Sequence, residues 1–272
     1  MAHPKEILAR LDANARKSLS QNFLTSPHWA ETLTSAVTSG ETPQAIWEIG
    51  PGLGALTQLL LKKASVPVTL FEYDKKLSAF LREEYPGINL IEGDVLKAPL
   101  EDLAQKAGRV AVLSNLPYHL SSPVFFKLVE IKPHITRVVL TFQKEFAERL
   151  LAKVGQESYG ALSIIAQLHF KITNLGILPS GAFYPPPAVA SQAVILEPQN
   201  PRNLDLETLC KVIRAGFLHP RKKMVSNLKQ VFPKVDWASA MEAQSLSPNT
   251  RAEELNEAQW IELSKYCNSN NL

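Results

Sequence analysis

Trp47-Glu48-Ile49-Gly50-Pro51-Gly52-Leu53-Gly54 is the stretch on which the reading of this chain turns, because three further polar positions follow it at a nearly constant interval. Gly50 to Glu72 is 22 residues, Glu72 to Asp94 another 22, and Asp94 to Asn115 another 21. Each step is close to one strand-plus-helix unit, for which ~30 residues cover strand, helix and next strand. Glu72 closes Val68-Thr69-Leu70-Phe71, Asp94 follows Asn89-Leu90-Ile91-Glu92-Gly93, and Asn115 closes Val110-Ala111-Val112-Leu113-Ser114. All four positions therefore end strands. In a parallel sheet those ends share one edge, where open α/β folds bind ligands, so a single ligand can touch all four.

Gly50 and Gly52 allow a turn whose backbone approaches a ligand closely, and a helix expected from Leu53 to Lys62 would aim its amide-rich start at it. Gly50, Gly52 and Ala55 also satisfy G-x-G-x-x-G/A, with Glu72 near the spacing of a ribose carboxylate. On these residues alone a nicotinamide-dependent enzyme stays open.

The 272 residues, 45% of them hydrophobic, leave room for one full α/β domain and a smaller piece. Two cysteines, Cys210 and Cys267, are too few for a disulfide framework or a zinc site and point to a reducing compartment. No apolar run reaches ~18 residues, and Met1-Ala2-His3-Pro4-Lys5-Glu6 lacks the apolar core of a signal peptide, so a cytoplasmic protein without membrane attachment is expected. His28, His119, His134, His169 and His219 show no ligand spacing, and no metal is expected. The net charge of +3 decides nothing about partners, whereas its distribution does.

Residues 1–24 read as a polar, basic-leaning arm with Lys5, Arg10, Arg16 and Lys17, ending in Ser20-Gln21-Asn22-Phe23-Leu24; taken alone it is a frayed terminus. Ser26-Pro27 starts a helix with Trp29, Leu33 and Val37 on one face, and Asp74 caps another carrying Leu77, Phe80 and Leu81. Helices are also expected over 123–131, 142–154 (Phe142, Phe146 and Leu150 inside) and 159–170. Lys171 to Leu178 and Ser191 to Glu197 form two strands whose helix-free connection, Phe183-Tyr184-Pro185-Pro186-Pro187, makes them an antiparallel pair. Pro198-Gln199-Asn200-Pro201 breaks the pattern. Three helices then follow: Leu204, Leu209, Val212 and Ile213 in one, Met224, Val225, Leu228 and Val231 in the next, Leu255, Trp260, Ile261 and Leu263 in the last. The expected division is an arm over 1–24, an α/β domain over 25–199 and a small all-helical domain over 200–272. Between Glu207 and Asp236 lie seven basic residues, at 211, 214, 221, 222, 223, 229 and 234, and no acid, which suits either a solvated face or a phosphate-contacting surface.

Ser114-Asn115-Leu116-Pro117-Tyr118 decides the chemistry. Pro117 keeps Leu116 extended, so the Leu116 carbonyl and the Asn115 side-chain oxygen stand as two neighbouring acceptors with an aromatic ring one residue beyond. Such a set suits an amino group on a flat heterocycle, the acceptors taking its N–H bonds and Tyr118 stacking on the ring.

With these residues in view, the sequence resembles the rRNA adenine N6-dimethyltransferases, specifically the type that modifies two adjacent adenosines in a hairpin near the 3′ end of small-subunit (16S) rRNA. The likeness covers nearly the whole chain: Gln21 to Leu24, Glu48 to Gly54, Glu72, Gly93-Asp94, Asn115 to Tyr118, Gln143-Lys144-Glu145, Ser158-Tyr159-Gly160, Phe183 to Ser191 and Arg251-Ala252-Glu253. It implies the Rossmann-like fold of S-adenosylmethionine-dependent methyltransferases, a mostly parallel sheet with an antiparallel last strand, and S-adenosylmethionine as methyl donor. Asn22 and Leu24 would line the donor site from the arm, Gly50 would pass close to its methionine part, Gly52 would also belong to the donor-binding set, and Glu72 would take the ribose hydroxyls. Asp94 would bond the adenine amine, and Asn115 would stand between donor and target. Asn115, Leu116, Tyr118 and Phe183 would form the catalytic set, the two rings holding the flipped base, with the hydroxyl of Tyr118 dispensable; Phe183 also suits loop packing. Arg221, Lys222 and Lys223 would contact RNA, the partner being small-subunit rRNA in a pre-ribosomal subunit, met by a monomer. The chain departs from the family pattern at Ser20, usually glycine, and at His219-Pro220-Arg221-Lys222-Lys223, usually a basic triplet. Competing readings are the large-subunit dimethyltransferases of the antibiotic-resistance type and a non-catalytic nucleic-acid-binding relative.

Overall fold

The computed structural model describes residues 3–11, 21–199, 204–219 and 222–267. Arg16, Lys17 and Ser20 of the arm, and Arg221 of the basic run, lie outside the described residues. In chain order the elements are α1 (Pro4–Arg10), β1 (Phe23–Leu24), α2 (Pro27–Thr38), β2 (Ala45–Ile49), α3 (Thr57–Lys63), β3 (Val68–Glu72), α4 (Lys75–Glu84), β4 (Asn89–Glu92), α5 (Leu100–Ala107), β5 (Val110–Asn115), α6 (Ser121–Glu130), β6 (Ile135–Gln143), α7 (Lys144–Leu151), α8 (Ala161–His169), β7 (Phe170–Leu178), β8 (Phe183–Tyr184), β9 (Ser191–Pro198), α9 (Leu206–Gly216), α10 (Met224–Val231), α11 (Trp237–Glu242) and α12 (Glu257–Ser264). None of the described helices is long and apolar enough to cross a membrane.

Contacts divide the chain into two units, residues 1–147 with 172–198, and 148–171 with 199–272. The first contains most of a seven-stranded sheet of order β4-β3-β2-β5-β6-β9-β7. β2 pairs in parallel with β3 and β5, β3 with β4, and β5 with β6, whereas β9 runs antiparallel to β6. β2 and β3 are buried along their whole length, as strands covered on both faces must be, while β4 at the sheet edge is half exposed. The helices start where their caps place them: the Ser26 hydroxyl accepts from the Trp29 amide, and Asp74 accepts from Lys76 and Leu77.

Several expected boundaries move. The helix after the glycine loop begins at Thr57 rather than Leu53, because Gly54 has φ of +80°, a left-handed conformation that no right-handed helix contains. Phe142 stays in β6, fully buried, and its helix starts two residues later. The arm is anchored where it is described: Ile7, Leu8, Phe23 and Leu24 join the main hydrophobic cluster, and β1 pairs with β8 through Phe23 with Tyr184 and Leu24 with Phe183.

In the second unit four α-helices follow β9 among the described residues, not three. α11, only six residues long, is too short to declare a period, and Leu204 and Leu255 fall outside the helices assigned to them. Val231 is 46% exposed rather than inside. The core of this unit includes Leu209, Val212, Ile213, Met224 and Leu228 with the fully buried Trp237 and Trp260. Phe217 stacks on Trp260 at 5.8 Å, and Gly216 ends α9 directly against the same indole. A Cβ there would lie 2.3 Å from Trp260 Cη2. Gly216→Ala is therefore expected to lower stability by about 1 to 3 kcal/mol through overpacking, although alanine is the better helix former. Urea unfolding checks this; an unchanged or higher midpoint would contradict the packing argument.

Candidate active site

The sheet order reverses direction at β2, which has β3 on one side and β5 on the other, and a cavity of about 860 Å³ lies at the carboxyl ends of these strands. Its lining gathers the residues singled out from the sequence. Asn22 and Leu24 come from the arm, Gly50 and Gly52 from the loop after β2, Glu72 from the end of β3 and Asp94 from the turn after β4. Asn115, Leu116 and Tyr118 follow from the end of β5, and Phe183 from β8.

Glu72 is not the exposed strand-end carboxylate that its position in the sequence suggests: it is 5% exposed. One carboxylate oxygen accepts the Gly52 amide at 3.1 Å and the other the Asp74 amide at 2.8 Å, so the side chain ties the glycine loop to the start of α4. The Gly50 amide donates to the Phe71 carbonyl at 2.8 Å, and the Ser114 hydroxyl donates to the Ile49 carbonyl, fixing the ends of β2, β3 and β5 to one another. Gly50 has φ of +67° and no atom within 4 Å of where a Cβ would stand, so its backbone is open to close approach. Asp94, half-buried, accepts the Leu96 amide at 3.0 Å through one oxygen.

On the opposite strand, the Asn115 amide nitrogen donates to the Asn22 carbonyl at 3.1 Å, and its oxygen accepts the Thr141 hydroxyl at 2.6 Å. The short turn after Pro117 uses the Pro117 and Tyr118 carbonyls, through the Leu120 amide and the Ser121 hydroxyl, and leaves that of Leu116 out. The Tyr118 hydroxyl hydrogen-bonds the Ser191 hydroxyl at 2.8 Å, a partner that the sequence reading, which gave that hydroxyl no task, did not supply. Phe183 is 4% exposed and belongs to the hydrophobic cluster while also lining the cavity.

The family model of ribosomal RNA adenine dimethylase matches residues 12–269. The chain belongs to the ribosomal RNA adenine dimethylase family. A ribosomal RNA small subunit methyltransferase A of Myxococcus xanthus is 35% identical over 264 residues, covering 94% of this chain and 92% of the relative. One of the same description from Prosthecochloris aestuarii is 38% identical over 232 residues, covering 84% and 87%. Among solved structures, a dimethyladenosine transferase from Plasmodium falciparum superposes with a TM-score of 0.73 at 25% identity, covering 89% of this chain and 95% of that one.

Sequence reading gave no role to one residue of this dimethylase. Glu48, the last residue but one of β2, is completely buried and lines the cavity; one oxygen accepts the Thr57 hydroxyl at 2.7 Å, and Oε1 has no hydrogen-bond partner. The signal for it was a carboxylate inside the otherwise apolar Ala45-Ile46-Trp47-Glu48-Ile49. Burial pushes Glu48 up to about 8, opposed by the Thr57 hydroxyl and reinforced by Glu72. Burial likewise raises Glu72 to about 7, against the lowering effect of the Asp74 and Gly52 amides. Tyr73, 61% exposed, also lines the cavity, and Asp74 caps α4. In the second unit Lys222 and Lys223 are exposed just before α10, with Lys229 and Lys234 also exposed, while Lys211 pairs with Glu207 at 2.7 Å. No group of three or more potential metal ligands occurs among the described residues.

Both carboxyls hold a proton more tightly in the folded chain than at their ordinary value of 4.5. From about pH 4.5 to about 8 the unfolded chain releases these protons before the folded one does, so rising pH favours unfolding across that window and the effect levels off above it. Glu48→Gln removes one of the two groups, and its urea midpoint between pH 5 and 9 should fall less steeply than that of the wild type. Identical slopes would show that Glu48 does not titrate as its burial requires.

Proposed function

We propose that this dimethylase transfers methyl groups from S-adenosylmethionine to the N6 amines of two adjacent adenosines in a hairpin near the 3′ end of small-subunit rRNA. It would act as a monomer on a pre-ribosomal subunit in the cytoplasm. The observation that carries the reading is that one cavity, at the switch point of the sheet, is lined both by Gly50, Glu72 and Asp94 and by Asn115, Leu116 and Tyr118. The relatives named as small-subunit enzymes favour this type over the large-subunit one.

The donor set suits S-adenosylmethionine. Glu72 keeps unused lone pairs for two ribose hydroxyls, and Asp94 has a second oxygen for an adenine amine. The open approach at Gly50 suits the methionine portion, and Asn22 and Leu24 cover the donor from the arm. Bound there, S-adenosylmethionine supplies a methyl group already activated on a cationic sulfonium.

The chain's own residues then have two tasks. Asn115 and Leu116 offer acceptors to the exocyclic amine, whose lone pair is otherwise conjugated with its ring; these contacts favour a pyramidal nitrogen and stabilise the positive charge that develops on it. Tyr118, with Phe183 on the far side, holds the flipped base so that the nitrogen is aligned for in-line displacement. No general base is required, because the proton can leave to water after the methyl has transferred. Lys222 and Lys223, with Arg221, contact RNA phosphates.

Incubation with labelled S-adenosylmethionine and undermodified small subunits, followed by nucleoside analysis, tests the reading. It predicts N6,N6-dimethyladenosine in small-subunit rRNA and none in isolated large subunits; label confined to the large subunit, or absent from both, would overturn it. Asn115→Ala should lower the single-turnover rate about 10² to 10³-fold at saturating donor while RNA affinity changes little, since the lost contact grows toward the transition state. A near wild-type rate would remove Asn115 from the chemistry. Reversing Lys222 and Lys223 to Glu should weaken subunit binding and reduce the log–log salt slope by about 0.7 to 0.9 per lost contact. An unchanged slope would return this run to a solvated face.

A further inference from the structure

Two buried hydroxyls outside the residues assigned so far touch the acceptor segment, one at each end. We propose that Thr141 and Ser191 are positioning residues of the methyl-transfer site: Thr141 anchors the Asn115 carboxamide oxygen that meets the target amine, and Ser191 fixes the direction in which the Tyr118 ring points. The inference rests on the reading that Asn115 and Tyr118 receive the target base.

The sheet puts the groups on one face. Asn115 at the end of β5 stands opposite Thr141 on β6, and Gln143, two residues further along β6, stands opposite Ser191 on β9. Register partners and residues two apart share a face, so Asn115, Thr141 and Ser191 project to the same side. Both hydroxyl residues are 1% exposed, so neither has water as an alternative partner, and each makes a single specific contact with the acceptor segment.

A carboxamide has one donating and one accepting end, and its two orientations have nearly the same shape. The Asn22 carbonyl can only accept, so it takes the amide nitrogen, and the oxygen is left toward the Thr141 hydroxyl, which donates its proton at 2.6 Å. One lone pair of the Asn115 oxygen remains for an N–H of the target amine. A reversed carboxamide would present N–H to N–H at the target and oxygen to oxygen at Asn22. The Asn22 carbonyl sets this orientation, since a hydroxyl can donate or accept, and Thr141 then anchors the carboxamide oxygen to the rigid sheet. The tyrosine ring turns about two bonds, and because its oxygen lies on the Cβ–Cγ axis, a tether at that oxygen stops the swing about Cα–Cβ while the ring can still turn about its own axis. The Ser191 hydroxyl at 2.8 Å is that tether, and it leaves the ring faces free for a base.

Single-turnover methylation of undermodified small subunits at saturating donor tests this, with donor affinity and thermal melting measured alongside. Thr141→Val should lower the rate roughly three- to tenfold, the loss that corresponds to one hydrogen bond, with donor affinity unchanged, and Thr141→Ser should restore it. Ser191→Ala and Tyr118→Phe should each lower the rate to a similar degree, and the double variant should be no worse than either, because both delete one contact. Couplings that report the Cα–Cβ rotamer of selectively labelled tyrosine should show more averaging for Tyr118 in Ser191→Ala, a readout that needs no methylation. A full rate in Thr141→Val, additive losses in the Ser191 and Tyr118 pair, or an unchanged Tyr118 rotamer would overturn the proposal. An inactive wild type with the averaged Tyr118 rotamer in Ser191→Ala would instead count against the adenosine reading and leave the Ser191 tether standing.

Discussion

The Glu72 carboxylate is the constraint on which this site depends. It sits 5% exposed at the end of β3 and accepts one amide from the glycine loop and one from the start of α4. A buried carboxylate is tolerated only where its oxygens are satisfied, so the loop after β2 must bring the Gly52 amide to it. That demand is met by a backbone with positive φ at Gly50, Gly52 and Gly54 and delays α3 until Thr57. Tyr85 secures the far side of the loop by donating to the Gly54 carbonyl at 3.3 Å, and Phe23 of the arm packs against Gly52. The same geometry leaves the Gly50 backbone open to the cavity.

The second half of the site is built from the other strand of the switch point, and the arm connects the two. Phe23 meets the glycine loop while the neighbouring Asn22 carbonyl takes the Asn115 amide, so one short segment contacts both the proposed donor side and the proposed acceptor side. Pairing of β1 with β8 carries the link on to Phe183. Glu48 adds a carboxyl oxygen without a partner beside this assembly, and a group of that kind is costly unless a ligand completes it. In the proposed reading the charged donor is that ligand, since Glu48 and Glu72 are the cavity-lining carboxyls whose ionisation burial resists.

Much of this was legible from the chain alone, for a physical reason: a strand-plus-helix unit has a nearly fixed length, so Glu72, Asp94 and Asn115 announce their shared edge by spacing. Pro117 likewise shows locally that Leu116 is extended. What stayed hidden depends on residues far apart in sequence. The burial of Glu72 follows from amides that only the folded loop delivers. The partners of Asn115 and Tyr118 lie 26 and 73 residues away and are set by the register of β6 and β9. The start of α3 depends on one backbone angle at Gly54, and α11 was too brief to show a period.

If S-adenosylmethionine completes the buried carboxyls at the switch point, calorimetry can count the protons involved. Titrating the donor near pH 7 in buffers of different ionisation enthalpy measures net proton exchange on binding. If ribose hydroxyls and a cationic donor favour the charged forms of Glu72 and Glu48, binding releases a fraction of a proton per donor, and the release shrinks above about pH 8, where both are already ionised. Donor binding with no proton release between pH 6.5 and about 8 would contradict the account, because the carboxyls would then not meet the donor at all.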